Sequence, residues 1–423
     1  MGEFDSQLSL FGERFGGRIG IQELMADLGA AMSGDDDVCM LGGGNPAHIP
    51  EVDARICELV ADLTADADAL ARVLGDYDGP QGHPAFRAAL ATVLCETFGW
   101  QVGPENIGLT LGSQNSFFCL FNMFAGPFRD GSQKRVLLSL TPEYIGYADA
   151  GLADDVFVSL PPVIEHLDEQ TFKYHIDFDA LESLEDIGAI CVSRPTNPSG
   201  NVLTDEEIHR LDALAKRWGV PLILDGAYGT PFPNIIFTEA EPFWNDHTIV
   251  CMSLSKFGLP ATRTGIVVAS EEVIRVLAGF NAVCSLAPSS MGAALAEPLL
   301  RSGEMLSLSR DVIQPFYQEK ALVAVEQLKA GLADLDCHLH VPEGALFLWL
   351  WCRGLPIRSE ILYERLKARG VLVVSGHYFF PGRKDDTAHM HECIRITYSQ
   401  APEKVSRGID VIIEEVRRAY EEG

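Results

Sequence analysis

Positive charge is scarce in this chain of 423 residues: 32 lysines and arginines face 60 aspartates and glutamates, a formal net charge of −28. So acidic a surface argues against non-specific binding to nucleic acid or an anionic membrane, both of which need a basic footprint. Paired cysteines are also missing. The ten cysteines are scattered singly from Cys39 to Cys393, none in the C-x-x-C spacing of a zinc or redox site. Cys191, Cys251 and Cys284 sit among apolar neighbours, where a thiol behaves as a small hydrophobe. Reduced thiols and a cytoplasmic location are the expectation.

Long apolar runs are lacking as well. The uncharged stretches Ile107–Phe128 and Val276–Ala296 are broken by Ser113, Gln114, Asn115 and Asn122, and by Asn281 and Pro288. Neither reads as a membrane span. The first fifteen residues hold no basic segment leading into an apolar run, so no signal peptide is expected. Met-Gly-Glu-Phe-Asp-Ser fits the loose myristoylation pattern, but no basic segment supports it. No G-x-G-x-x-G fingerprint follows an early strand, and no Walker loop occurs.

What is present is an ordinary globular composition, 47% hydrophobic and 22% charged, in a chain long enough for about two or three domains. Apolar runs at Arg135–Leu140, Ala189–Ser193, Pro221–Leu224, Ile249–Met252 and Gly265–Ala269 read as strands. Between the second and third lies a helical pattern over Thr204–Trp218, with Thr204 as N-cap and Glu207 at the capping-box position. Short apolar strands alternating with helices indicate a parallel sheet covered on both faces.

The tail differs. His338–Val341, Ala345–Trp351, Val371–Val374 and Cys393–Tyr398 read as strands, with helices at Ser359–Arg369 and Pro402–Tyr420. The fold class is therefore α/β, with a smaller α+β domain. The expected division is a large domain over 48–295 and a small one built from 1–47 and 296–423. Near the start, an amphipathic helix is predicted over Ile21–Met32, followed by the turn-rich Gly42-Gly43-Gly44-Asn45-Pro46.

In a doubly wound sheet, ligands sit beyond the carboxyl ends of the strands. The residues just after each strand are thus the informative ones. They read Arg194-Pro195-Thr196-Asn197-Pro198-Ser199-Gly200, then Asp225-Gly226-Ala227-Tyr228, then Ser253-Leu254-Ser255-Lys256, with Arg263 seven residues beyond the lysine. Earlier, Gly112-Ser113-Gln114-Asn115 precedes an apolar helix and would aim free N–H groups at an anion. Singly, each piece also reads as a turn, a helix cap or a solvated loop. Their order is what carries information.

In that order, the sequence resembles the class I/II aminotransferases, the fold-type-I enzymes of pyridoxal phosphate. The resemblance extends over almost the whole chain. It takes in Leu41-Gly42-Gly43-Gly44-Asn45-Pro46, Tyr77-Asp78-Gly79-Pro80-Gln81-Gly82, Thr141-Pro142-Glu143-Tyr144-Ile145-Gly146-Tyr147, Pro342-Glu343-Gly344-Ala345-Leu346-Phe347 and Ile394-Arg395-Ile396.

The family fold would be a mostly parallel seven-stranded sheet sandwiched by helices, plus the smaller domain. By the same resemblance Lys256 holds the cofactor covalently and then carries the proton. Asp225 faces the pyridine nitrogen, Tyr228 and Asn197 donate to the phenolate oxygen, and Tyr144 stacks on the ring. Ser113, Gln114, Ser253 and Arg263 take the phosphate. Tyr77 reaches the phosphate of a neighbouring subunit, so a homodimer is implied. Arg395 grips the substrate carboxylate, helped by a backbone N–H near Gly44.

Many relatives have eight residues between lysine and phosphate arginine, so the loop here is expected to be one residue shorter, with Arg263 still reaching. The segment Val283-Cys284-Ser285-Leu286-Ala287-Pro288-Ser289-Ser290 carries no cation for a second carboxylate. The expected substrates are a small apolar amino acid such as L-valine and a 2-oxo acid such as pyruvate. Another reaction on the same scaffold, such as a C–S β-elimination, stays open, as does a non-catalytic cofactor-sensing module.

No metal is expected. His338-Leu339-His340 and His389-Met390-His391 would each face one way on a strand, without ligands at metal spacing. Phe347, Trp349 and Trp351 read as one packed strand face, and Tyr378-Phe379-Phe380 as loop packing or a cover over substrate. Glu143, Arg194 and Asp149 stay unassigned, since surface ion pairing explains them equally.

Overall fold

The computed structural model describes residues 8–16 and 38–423; the helix expected at Ile21–Met32 lies outside them. The main sheet is built on β2 (Ile107–Thr110), β4 (Gln133–Leu138), β5 (Phe157–Ser159), β8 (Ile187–Ser193), β9 (Leu222–Asp225), β10 (Thr248–Ser253) and β11 (Gly265–Val268). Its order is β2-β11-β10-β9-β8-β4, with β5 beside β4 and the two-residue β3 (Gly126–Pro127) making eight. The run β10-β9-β8-β4-β5 is parallel, whereas β11 lies antiparallel to both β10 and β2.

Alternation along the strands explains the two covered faces. Leu137, Ile190, Val192, Leu224, Val250 and Met252 enter one core, with Ile208 and Leu211 of the helix Asp205–Trp218. Val136, Leu138, Ala189, Cys191, Ile223 and Cys251 enter the other, against Phe117, Leu120 and Phe121 of the helix Ser113–Phe124. The covering helix Asp205–Trp218 starts where its capping residues predict. Thr204 accepts from the Glu207 amide at 3.2 Å, and Glu207 accepts from the Thr204 amide at 2.9 Å.

The second sheet has six strands, ordered β15 (Val374–Ser375), β16 (Cys393–Thr397), β13 (Phe347–Cys352), β12 (Cys337–His340), β7 (Thr171–His175) and β6 (Val163–His166). The β6–β7 hairpin falls inside 48–295, the stretch expected to form the large domain, yet it pairs with the tail through β12. The expected strand Val371–Val374 is also divided. Its first half, β14 (Val371–Leu372), pairs in parallel with β1 (Cys39–Met40), and Val374 joins β16 instead. At the break Gly42 packs on the Val373 carbonyl, which a Cβ would meet at 2.9 Å.

All ten cysteines are free. Cys191 and Cys251 are buried as expected, but Cys284 is exposed, because it ends the helix Glu271–Cys284 on its outer side. Phe347, Trp349 and Trp351 are buried, and so are the residues between them, because β13 is covered on both faces. His389 and His391 lie on a helical turn, Ala388–His391, not on a strand.

Candidate active site

The strands end on one cavity of about 210 Å³. β9 ends on Asp225, β8 and β10 deliver Asn197 and Lys256 beyond their carboxyl ends, and β2 leads into the helix at Ser113. Because β11 runs the other way, Arg263, two residues before its start, arrives at the same edge. The loop from Lys256 closes through a short turn at Pro260–Thr262, leaving Arg263 left-handed at φ +51°. A non-glycine residue there is strained by ~1–2 kcal/mol.

Beside it, Gly112 has φ +88° and no room for a side chain, since a Cβ would lie 2.2 Å from Arg263 Nη2. The result is a cradle of Ser113 and Gln114 at a helix start, Ser253 and a guanidinium. Helix N-termini leave amides unpaired, so this is an anion site.

Buried electrostatics mark the centre. Asp225 accepts from Tyr147 Oη at 2.5 Å and from the Ala227 amide at 2.9 Å. Burial nevertheless pushes its carboxyl up to about 6, against Tyr147, Ala227 and the charge of Lys256. Burial, then Arg395 and Arg263, bring the Lys256 amine down to about 8. Its Nζ donates to the Gly44 carbonyl and lies 5.4 Å from the Tyr228 ring centre. The Tyr228 phenol is pushed up by burial, with Arg395 and Asn197 opposing.

Arg395, on β16, donates to Asn197 Oδ1 at 2.8 Å and to the Gly42 carbonyl at 2.6 Å. The rings of Phe347 and Phe379 lie 4.2 and 5.2 Å from its guanidinium, so Phe379 packs on the arginine. Burial lowers Arg395 to about 10, still charged near neutrality.

The cavity thus brings together Gly44, Ser113, Gln114, Tyr144, Asn197 and Asp225 with Tyr228, Ser253, Lys256, Arg263 and Arg395. Gly44 presents a carbonyl to Lys256, where the sequence suggested a donor to substrate. Tyr77 is not brought to it within one chain, being 82% exposed. Sequence reasoning missed Gly42, Phe117, Ser193 and Ala227 on the wall and Tyr147 behind it. The Tyr144–Tyr147 block held that last signal, three residues beyond the ring-stacking candidate.

Glu143 and Arg194 are not surface groups. Both are buried, the first against Ser193 and the second against Leu203, Glu241 and Asp205. Asp149 is half-buried, which raises its carboxyl. Away from the cavity, His377, His391 and Glu360 stand close enough to share a cation, but Arg358 Nη2 is 2.7 Å from His391 Nδ1.

The family model "Aminotransferase class I and II" matches residues 51–412. The chain belongs to this family. A valine–pyruvate aminotransferase of Escherichia coli is 49% identical over 98% of this chain and 99% of its own. The crystal structure of a valine–pyruvate aminotransferase from Salmonella typhimurium has 50% identity, covers 96% of this chain and 100% of that one, and superposes with a TM-score of 0.88. An aspartate aminotransferase from Thermus thermophilus, at 20% identity over 97% of this chain and 100% of that one, shares the fold with a TM-score of 0.77.

This aminotransferase uses pyridoxal phosphate, and its cavity fits that cofactor. Gly112 leaves room for the Arg263 guanidinium beside the helix start, which suits a phosphate, and a buried carboxylate and a half-buried amine face the same cavity. Among the described residues no helix is long and apolar enough to cross a membrane.

Proposed function

We propose that this aminotransferase moves the amino group from L-valine, or a similarly small apolar amino acid, to pyruvate, yielding 3-methyl-2-oxobutanoate and L-alanine. The observation that carries the reading is the meeting of Lys256, Asp225 and Arg395 in one cavity, in a chain 49% identical over its length to the valine–pyruvate enzyme.

Bound pyridoxal phosphate supplies an electron sink for the pair left when the substrate's α-proton departs. Ser113, Gln114, Ser253 and Arg263 bind its phosphate. Asp225 keeps a proton on its pyridine nitrogen, while Tyr228 and Asn197 donate to its phenolate oxygen and Tyr144 covers its ring. Lys256 would hold the cofactor through its amine and, once the substrate amine has taken that place and freed it, would take the α-proton and return it; burial favours the neutral amine this needs.

Arg395 holds the substrate carboxylate with the guanidinium hydrogens that Asn197 and Gly42 leave free. A backbone N–H near Gly44 is proposed as a further donor to that carboxylate. The uncharged Val283–Ser290 segment is compatible with an apolar side chain.

The working unit is a homodimer in which Tyr77 reaches the partner's phosphate site. Exposed apolar residues, Tyr77 at 82%, Val283 at 87% and Leu286 at 63%, support a covered face there. The division into a unit over 48–295 and one from 1–47 and 296–423 is retained, with the β6–β7 hairpin moved to the second. Free cysteines suit a reducing, cytoplasmic location.

An absorbance spectrum with L-valine alone tests the reaction. The cofactor's band should convert to that of its aminated form, and pyruvate should reverse the change. A cofactor band that valine leaves untouched overturns the donor, and ammonia released in place of alanine points to a lyase.

A further inference from the structure

Behind Asp225 lies a second carboxyl group that the proposed reaction does not use. Glu143 is buried, and among the described residues no lysine or arginine is ion-paired with it. Its Oε1 lies 2.5 Å from Ser193 Oγ and accepts from the Tyr144 amide at 2.8 Å, while its Oε2 accepts from the Ser193 amide at 3.0 Å. Ser193 Oγ is 3.3 Å from Tyr147 Oη, which donates to Asp225 Oδ2 at 2.5 Å. Four oxygens therefore stand in a row, joined by three links.

The row has two hydroxyl hydrogens for three links. Tyr147 gives its hydrogen to Asp225, and Ser193 can give its one to Glu143 Oε1 at 2.5 Å or to Tyr147 Oη at 3.3 Å. All three links are hydrogen bonds only when Ser193 turns to Tyr147 and a third hydrogen sits on Glu143. A carboxylate there would leave one link with two acceptors and put two negative charges on one buried chain.

Burial and the nearby Asp225 favour the same state. Burial raises its carboxyl to about 8, Asp225 adds to the rise, and the donors from Ser193 and Tyr144 only partly oppose it. The neighbouring Tyr147 phenol and Cys191 thiol are themselves pushed up by burial and stay neutral.

We propose that Glu143 is a positioning residue, a neutral carboxylic acid that heads a donor chain through Ser193 and Tyr147 and so holds Asp225 ionised and aimed at the cofactor's pyridine nitrogen. This rests on the reading of Asp225 given above. Every O–H in the chain points toward Asp225. When Glu143 loses its proton, Ser193 turns to it, and Tyr147 loses the partner behind it.

Glu143→Gln tests this, because an amide donates as the acid does but does not titrate. In cofactor-free protein the native acid holds its proton from about pH 4.5, its ordinary value, up to about 8. Native protein therefore binds more protons than unfolded protein in that window, and stability falls as pH rises through it. The glutamine variant lacks this loss. Its melting temperature relative to wild type should climb from pH 5 to 8 and then level off; a difference that stays flat overturns the proposal.

In the holoenzyme, wild-type cofactor affinity should fall above about pH 8 and the glutamine variant's should not. At pH 7 the two should agree within about threefold, while Glu143→Leu, without a donor, weakens cofactor binding about tenfold. A hundredfold loss in Glu143→Gln at pH 7 would mean that a carboxylate is required. If the Glu143 variants do not fold, Ser193→Ala cuts the chain and leaves the acid, so cofactor affinity should fall about tenfold. Unchanged affinity in Ser193→Ala would overturn the chain. Asp225→Asn run in parallel keeps the two readings apart: wild-type rates in that variant would remove Asp225 from the reaction, while the melting data still report Glu143.

Discussion

The two arginines of the cavity are held in opposite ways. Arg395 is buried on a strand, fixed by Asn197 and the Gly42 carbonyl and flanked by two aromatic rings. Arg263 is exposed, sits in a left-handed turn, and donates to the Pro260 carbonyl at 3.2 Å. A guanidinium fixed before its ligand arrives loses little freedom on binding and enforces geometry. A looser one supplies charge to an anion that backbone amides already orient. The rigid cation suits a substrate that must be told from others, and the loose one suits a cofactor that stays bound.

Lys256 lies under the influence of both cations, and removing it should have the largest effect. Lys256→Ala should lower turnover by at least ~10⁴-fold and abolish reductive trapping of the cofactor on the chain, read by mass spectrometry. Turnover within tenfold of wild type would defeat the assignment. Next comes Arg395→Ala, which should cost ~10²–10³ in kcat/KM for the amino acid, since a buried charge pair is broken. Cofactor affinity should change by less than about threefold; release of cofactor would exchange the roles of the two arginines.

Arg263→Ala should do the reverse. A lost charge-assisted hydrogen bond weakens cofactor binding about 10- to 100-fold, seen in a fluorescence titration, with the amino-acid KM little altered at saturating cofactor. The smallest effect is on pH. In cofactor-free protein the Lys256 amine is held at about 8, so stopped-flow capture of pyridoxal phosphate should quicken as pH rises through 8 and the amine loses its proton. Arg395 acts on that amine more than Arg263 does. Arg395→Ala should therefore move the midpoint up, and further than Arg263→Ala; equal shifts would erase the distinction.

Both arginines were legible in the sequence, for different reasons. Lys256 and Arg263 belong to one short loop, and their place in the ordered set of post-strand residues marked them together. Arg395 became readable only through its family block, because its partner Gly42 is 353 residues away. The main strands showed as apolar runs, and the capping box at Thr204 and Glu207 marked its helix to within a residue. The hairpin β6–β7 did not show, since Glu165 and Lys173 put charge on its strands and His175 a polar ring.

Glu143 was silent for a similar reason. Its partner Ser193 is 50 residues away, brought beside it by the pairing of β4 with β8. Local pattern reports which residues end a strand. It does not report which other strand lies alongside.

The glycine-rich segment after β1 has a consequence for the protein's birth. Its Leu41 carbonyl accepts from the Thr397 amide, its Gly42 carbonyl from Arg395 and its Asn45 carbonyl from Ser399. A chain emerging from the ribosome can pair β8, β9 and β10 early, and with them assemble Asn197, Asp225 and Lys256. The early segment must wait, unpartnered, until β16 has been made. Contacts that distant in sequence are slow to form, so a half-made chain gathers Asn197, Asp225 and Lys256 well before it gains Arg395.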